Sequence, residues 1–109
     1  MNKIYYGTGK RKTALSRIFL KSGNGREREK SEIIINKKNI NEYFNNINEY
    51  INKIFNIINL FELKDKIDLF ITVKGGGNTG QLNSIILGIS RALYKYNNNY
   101  KEILKKINY

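Results

Sequence analysis

The sequence contains no cysteine, histidine, proline or tryptophan. The lack of cysteine rules out disulfides, and the lack of both cysteine and histidine removes the usual zinc ligands. Histidine is also the commonest general base near neutral pH, so many enzyme mechanisms are excluded as well. We therefore expect a protein that is not an enzyme and that has no metal site and no cofactor.

Acidic residues are also scarce. Nine Asp and Glu stand against 20 Lys and Arg, which gives a formal net charge of +11. A positive field of this size on a small chain implies an acidic partner, either nucleic acid or an anionic membrane. Membrane attachment needs an apolar span of about 20 residues or a basic amphipathic helix with a strongly apolar face, and the sequence has no such span. Nucleic acid is therefore the favoured partner.

The start of the chain reaches Gly7 before an apolar segment of signal-peptide length, about 7 to 15 residues, can form. We therefore expect a cytoplasmic protein. The 109 residues suit a single domain, residues 1–109, and the 40% hydrophobic and 12% aromatic content suits a globular core.

In the first part of the chain, residues 5–21 mix β-forming residues with glycines and a basic cluster. The turn signal Gly-Asn-Gly at residues 23–25 separates them from the apolar run at residues 33–35. This pattern predicts two antiparallel strands. Asn39, with Glu42 three residues later, resembles a capping box and predicts the start of a short helix.

In the second part, apolar residues recur every three or four positions from Ile47 to Phe61, which predicts an amphipathic helix. Residues 67–74 alternate and predict a strand with one buried face. Helical spacing returns from Leu82 to Tyr96, and a short closing helix is predicted over residues 100–107. The helix from Leu82 leaves an outward polar and basic face, comprising Asn83, Ser84, Gly88, Arg91 and Lys95.

Two glycine-rich segments resemble nucleotide-binding motifs. Residues 75–80, Gly-Gly-Gly-Asn-Thr-Gly, satisfy the G-x-G-x-x-G pattern between a strand and a helix. That fold needs a second strand ending in Asp or Glu about 20 residues further on, whereas the helix here runs into residues 94–97, Tyr-Lys-Tyr-Asn. Residues 7–13, Gly-Thr-Gly-Lys-Arg-Lys-Thr, lack the spacing of a phosphate loop. Neither segment is therefore predicted to bind a nucleotide.

Two other interpretations of these segments stay open. Each segment alone could be a simple turn beside a solvated basic face. Alternatively, glycine removes side chains where a bulky partner approaches the backbone, while adjacent Lys, Arg, Thr and Gln residues contact phosphate and ribose. Because two such segments occur in one basic chain, we favour folded RNA as the partner.

The spacing of residues 75–93 is specific. A triple glycine at residues 75–77 is followed after two positions by Gly80 and Gln81, then Ser84 and, at residues 88–93, Gly-Ile-Ser-Arg-Ala-Leu. This arrangement resembles the signature of a known family, the bacterial-type small-subunit ribosomal protein nine. Residues 6–12, Tyr-Gly-Thr-Gly-Lys-Arg-Lys, are similar to its N-terminal pattern, and Arg17 also has its expected place. The resemblance thus covers nearly the whole chain.

The resemblance implies a two-layer α+β fold, like that of the second domain of ribosomal protein S-five. A mainly four-stranded sheet is backed by helices and contains a left-handed βαβ crossover. It also implies a structural role in the small ribosomal subunit, bound to the ribosomal RNA of the subunit head beside neighbouring head proteins. The ribosome would be bacterial, endosymbiont or organellar. Family members usually carry a basic C-terminal tail that reaches P-site transfer RNA, and we expect that contact only where such a tail is present.

The residues expected to contact RNA are cations and glycines in and around the two segments, with one glutamine. They are Gly9, Lys10, Arg11, Lys12, Arg17, Lys74, Gly76, Gly77, Gly80, Gln81 and Arg91. Tyr5, Tyr6 and Tyr94 offer stacking surfaces, but aromatic residues at strand or helix spacing more often belong to the core, and we do not include them in the site. Residues 26–30 carry mixed charges and are expected to form a solvated loop.

Two rival functions fit parts of the sequence. A protein subunit of ribonuclease P type would share the charge and a related topology, but its arginine-rich helix signature is missing. A small kinase of the homoserine or galactose type would share the broad fold and the glycine-rich loops, but this chain is too short and lacks a candidate base. We therefore predict an RNA-binding structural protein of the ribosome.

Overall fold

A computed structural model describes residues 3–22 and 32–106. In chain order its strands and helices are β1 (Ile4–Arg11), β2 (Ala14–Ser22), β3 (Ile33–Ile35), β4 (Lys38–Asn39), α1 (Ile40–Tyr43), α2 (Asn48–Leu60), β5 (Ile67–Lys74), α3 (Asn78–Tyr96) and α4 (Lys101–Lys106). A single turn of 3₁₀ helix, Asn98–Tyr100, joins α3 to α4. None of the helices in these ranges is long and apolar enough to cross a membrane.

The strands form one mixed sheet in the order β1-β2-β5-β3-β4. β1, β2 and β5 are antiparallel neighbours, while β3 runs parallel to β5. The parallel pair is connected through β4, α1 and α2, which makes a βαβ crossover. The predicted α+β architecture with four main strands is confirmed, and the two-residue β4 extends the sheet at one edge.

The prediction for the first strands was wrong in its pairing. Residues 5–21 do not form one strand, because the chain turns back at Lys12 and Thr13 to form the β1–β2 hairpin. Lys12 has a φ of 54°, a left-handed conformation that lysine seldom adopts and that its sequence does not signal. The apolar run of β3 pairs in parallel with β5 rather than antiparallel with its predecessor. The glycine turn at residues 23–25 and the charged residues 26–30 lie outside the described ranges.

Asn36 continues the pairing of β3 with β5 after the short strand has ended. Its side-chain amide donates to the carbonyl oxygen of Val73 and accepts from the Val73 backbone nitrogen, both at 2.9 Å. The backbone of Asn36 has a φ of 50°, so the chain is already turning toward β4 at this point. The side chain therefore replaces the missing backbone ladder beside β5.

α2, α3 and α4 lie on one face of the sheet or beside one another, and no helix of the described residues covers the opposite face of the central strands. Apolar side chains alternate inward on β2 and β5 and meet the buried sides of α2 and α3. The fully buried side chains at the centre of this layer are Ile18, Leu20, Ile35, Ile54, Ile58, Ile67, Leu69, Leu82, Ile85, Ile89 and Leu93. A two-layer α+β body results.

The helix predictions are confirmed in position. Asn39 is the N-cap of α1, and its side-chain oxygen accepts from the Glu42 backbone nitrogen at 2.8 Å. α2 and α3 follow the two periodic segments, and α4 ends the described chain with Leu104 buried. The predicted outward face of α3 needs correction, because Ser84 and Gly88 are buried against the sheet. Of that set, Asn83, Arg91 and Lys95 are exposed.

Candidate nucleic-acid interface

One end of the sheet brings together the two glycine-rich segments that the sequence singled out. The β1–β2 hairpin turn lies beside the segment that joins β5 to α3. A Cβ atom added at Gly76 would lie 3.1 Å from the Cβ of Ala14, and one at Gly80 would lie 4.0 Å from the carbonyl oxygen of Arg11. The cations Lys10, Arg11, Lys12 and Lys74 are all exposed at this end.

The glycines after β5 are required by the backbone of the turn. Gly75 and Gly76 have φ values of 81° and 68°, which favour glycine. A Cβ at Gly75 would also overlap the carbonyl oxygen of Thr13. Gly77 differs from both, because its φ is −91° and a Cβ there would meet nothing within 4 Å among the described residues. Of the triple glycine, Gly77 is thus the member for which neither backbone conformation nor a close contact among the described residues demands glycine.

α3 begins directly after Gly77, which is its N-cap and has no side chain to hydrogen-bond to the first turn. The first amide groups of a helix point outward at its positive end and favour anions. Four Lys or Arg side chains lie at the same end of the sheet, on the hairpin and at the end of β5. The combined field at this end of the molecule therefore favours a negatively charged ligand.

The half-buried side chain of Gln81 holds the glycine turn through hydrogen bonds. Its side-chain nitrogen donates to the carbonyl oxygen of Gly75 at 3.1 Å, and its side-chain oxygen accepts from the Tyr43 hydroxyl at 2.5 Å. Burial raises the pKa of Tyr43, and a hydrogen bond with Asn36 offsets part of that rise. The hydroxyl is therefore a neutral donor at physiological pH. Gln81 therefore connects α1 to the glycine turn through its two side-chain hydrogen bonds.

Gly9 also has an internal explanation. It is buried on the covered face of β1, where a Cβ would overlap the carbonyl oxygen of Ser84 and lie 2.7 Å from the backbone nitrogen of Gly88. The hydroxyl of Ser16 donates to that same Ser84 carbonyl at 2.6 Å. Close approach of α3 is therefore a sufficient reason for glycine at this position, and the contact of Gly9 with RNA stays a prediction.

Arg91 connects α3 to the edge of the sheet. Its guanidinium donates to the carbonyl oxygen of Thr8 at 3.0 Å, and the residue is nevertheless exposed. Arg91 lies along α3 rather than at the glycine turn, so the predicted set does not form one cluster. Arg17 is also separate, since it lies in the middle of β2 on the face that none of the described helices covers.

The uncovered face contains residues that the sequence reasoning missed. Phe19 is 39% exposed and Phe70 is 37% exposed, and both project to the same side as Arg17. Tyr6, which was not included in the site, is 37% exposed on the same side. The sequence contained a signal for this placement. Each ring stands at the alternate positions of its strand that polar residues also occupy, so it projects to the same face as they do.

Charge on this face is mainly positive. Lys10, Arg17 and Lys74 are exposed there, whereas Asp68, at the far end of β5, is buried and accepts from the Glu32 backbone nitrogen at 2.9 Å. In the described ranges no group of three or more His, Cys, Asp or Glu residues could hold a metal ion. The chemistry of the surface is that of phosphate and aromatic contacts.

Comparison with known proteins agrees with the resemblance found in the sequence. The model of the family described as ribosomal protein S9/S16 matches residues 9–109. The chain is 38% identical over 105 residues to the small ribosomal subunit protein uS9 of Thermus thermophilus, an alignment that covers 96% of this chain and 77% of that protein. The chain therefore belongs to the ribosomal protein S9/S16 family.

Proposed function

We propose that the chain binds small-subunit ribosomal RNA through the end of the sheet formed by the β1–β2 hairpin and the glycine turn. As a member of its family, the chain is a structural constituent of the small ribosomal subunit and not an enzyme. The observation that carries the proposal is the convergence of Lys10, Arg11, Lys12 and Lys74 beside Gly76, Gly77 and Gly80.

The binding chemistry follows from these groups. Lysine and arginine side chains neutralise RNA phosphates and release counterions, which makes the affinity depend steeply on salt. Gly77 leaves an open surface where a sugar-phosphate backbone can approach the start of α3. Gln81, which holds the turn, would act on RNA mainly by keeping that surface in shape. Arg17 and Arg91 extend the proposed contacts along β2 and α3.

The wider setting is part of the same proposal. RNA of the subunit head, bound together with neighbouring head proteins, suits a basic body whose described surface has cations on several sides. We place the chain on bacterial or endosymbiont ribosomes, with organellar ribosomes as the other host. Contact with P-site transfer RNA is not assigned to residues 3–22 or 32–106.

The test is a charge reversal at the hairpin. In the triple variant Lys10→Glu, Arg11→Glu and Lys12→Glu, affinity for a transcript of the head region should fall by roughly 10- to 100-fold in filter binding. The slope of log affinity against log salt concentration should also become less steep by about 2. Each phosphate contact on single-stranded RNA contributes about 0.7 to that slope, and three contacts are removed.

A matched control separates this site from the general positive field. The triple variant Lys53→Glu, Lys64→Glu and Lys66→Glu changes the net charge equally, but its exposed lysines lie on α2 and before β5, away from the hairpin. The control should lose much less affinity. Equal losses in the two triple variants would show that only the net charge matters and would refute the proposed site.

A further inference from the structure

The uncovered face of the sheet contains a continuous row of apolar side chains. Tyr6 pairs with Phe19 across β1 and β2, Phe19 pairs with Phe70 across β2 and β5, and Phe70 pairs with Ile34 across β5 and β3. Strands in a sheet are about 4.8 Å apart, so this row crosses roughly 14 Å of surface. We call these four residues, three rings and Ile34, the aromatic row.

The rings of this row are not needed to fill the core. The opposite faces of the same strands bury Ile18, Leu69 and Ile71 against the helices, with at most 3% of each residue exposed. By contrast, Phe19 and Phe70 remain 39% and 37% exposed. A soluble sheet face in this position normally carries polar residues, so adjacent exposed rings indicate a surface that another molecule covers.

The row is held in place before any partner arrives. The ring centroids of Tyr6 and Phe19 are 5.0 Å apart with the planes inclined at 47°. The ammonium group of Lys95, on α3, lies 5.8 Å from the centroid of the Tyr6 ring. Because the strands beneath are paired along their length, the backbone that carries the rings loses little conformational entropy on binding.

The charges beside the row identify the kind of partner. One step along the strands on this face, Arg17 lies between Thr8 and Thr72, and one step further Leu15 lies between Lys10 and Lys74. Each step is two residues, or roughly 7 Å. Flat rings beside exposed cations are the arrangement that binds unpaired bases, with the rings stacking on bases and the cations contacting phosphates.

We propose that the aromatic row is a stacking platform for unpaired bases of RNA, with Arg17 and Lys74 contacting the phosphates of the same strand. The inference rests on the proposed function, because it assigns a second contact region to the same RNA partner. It differs in chemistry from the hairpin end, where cations and backbone amides recognise phosphate alone. A protein docking on the apolar row is the competing occupant.

The experiment removes two of the three rings but keeps apolar bulk, in the double variant Phe19→Leu and Phe70→Leu. Affinity for a transcript of the head region should fall by about 5- to 100-fold for each stacked ring. Affinity for a fully paired RNA duplex, which offers no free base, should stay close to that of the unchanged protein. The control is Phe61→Leu, whose ring stacks on Tyr100 with centroids 4.0 Å apart in the helical layer.

Ultraviolet crosslinking of the unchanged protein provides a test that does not depend on how the variants fold. After irradiation with the head transcript and digestion, mass spectrometry should find nucleotides attached to Tyr6, Phe19 or Phe70. Crosslinks confined to the hairpin and the glycine turn would overturn the inference.

The outcomes separate this inference from the proposed function. If the unchanged protein binds neither transcript nor duplex, the proposed function itself fails. If it binds both and the double variant binds the transcript equally well, only the stacking platform is refuted. A double variant that binds RNA normally but no longer assembles into small subunits would also refute stacking and would identify a protein as the occupant.

Discussion

The two faces of β1, β2 and β5 are built from alternate residues of the same three strands, yet their composition is opposite. On the covered face, β1 and β2 present small groups such as Gly7, Gly9 and Ser16 to α3, and their backbones come into close contact with the helix. On the open face, the same strands present large rings and cations. One face is specified by its fit to a helix, and on the other the described helices make no such fit.

This difference changes how glycine is interpreted in the chain. A side chain at Gly9 or Gly88 would collide with atoms of the opposing element, so these glycines serve the packing of α3 on the sheet. Gly75 and Gly76 serve the shape of a turn. Gly77 alone of the triple glycine has open space around it among the described residues, and this is the surface that we propose for the RNA backbone.

The largest expected effect is on the covered face, from Gly9→Ala. The added methyl group would overlap the Ser84 carbonyl oxygen, which is backbone and cannot move aside independently of α3. We expect a loss of at least about 3 kcal/mol in the free energy of unfolding, at the upper end for overpacking and a large part of the stability of a small domain. Urea unfolding followed by circular dichroism measures it.

Gly80→Ala is the matched control for that substitution. A Cβ at Gly80 would make only an ordinary contact of 3.8 Å with the Cβ of Ala14, and alanine suits the first turn of a helix better than glycine. Its stability should equal or exceed that of the unchanged protein. If Gly9→Ala unfolded at the same urea concentration as Gly80→Ala, the close packing of β1 on α3 would be disproved.

An intermediate effect is expected from Ser16→Ala, which removes a buried hydroxyl that bonds to Ser84 at 2.6 Å. The variant should lose about 1–2 kcal/mol of unfolding free energy in urea. Thr72→Ala alters a hydroxyl residue on the open face of the adjacent strand and should change stability by no more than about 0.5 kcal/mol. Equal losses would mean that the two faces contribute alike to the fold.

The sequence predicted the elements whose pattern is local. The periodicity of α2 and α3, the alternation of β5 and the capping box at Asn39 were each contained in one segment, and each is confirmed. The β1–β2 turn was missed because Lys12 and Thr13 carry no turn signal. The parallel pairing of β3 was missed because three apolar residues do not specify a direction or a partner.

In the candidate site, too, only the residues that are adjacent in the sequence could be predicted as a group. Lys10, Arg11 and Lys12 stand together in the sequence and could be found there. The aromatic row depends on the cross-strand register of four strands, so Phe19 and Phe70 become neighbours only after folding. The packing of Gly9 against Ser84 could not be predicted, because Ser84 lies far along the chain on α3.

The smallest effect on the fold is expected from Gly77→Ala, at the N-cap of α3. Its φ of −91° is accessible to alanine, and a methyl group would contact none of the described residues within 4 Å. The weaker N-cap and the less flexible unfolded chain oppose each other, so stability should change by less than about 1 kcal/mol. Affinity for the head transcript should nevertheless fall several-fold, because the methyl group occupies the surface that we assign to the RNA backbone. Unchanged affinity alongside unchanged stability would remove Gly77 from the interface and leave the cations of the hairpin as the groups that bind.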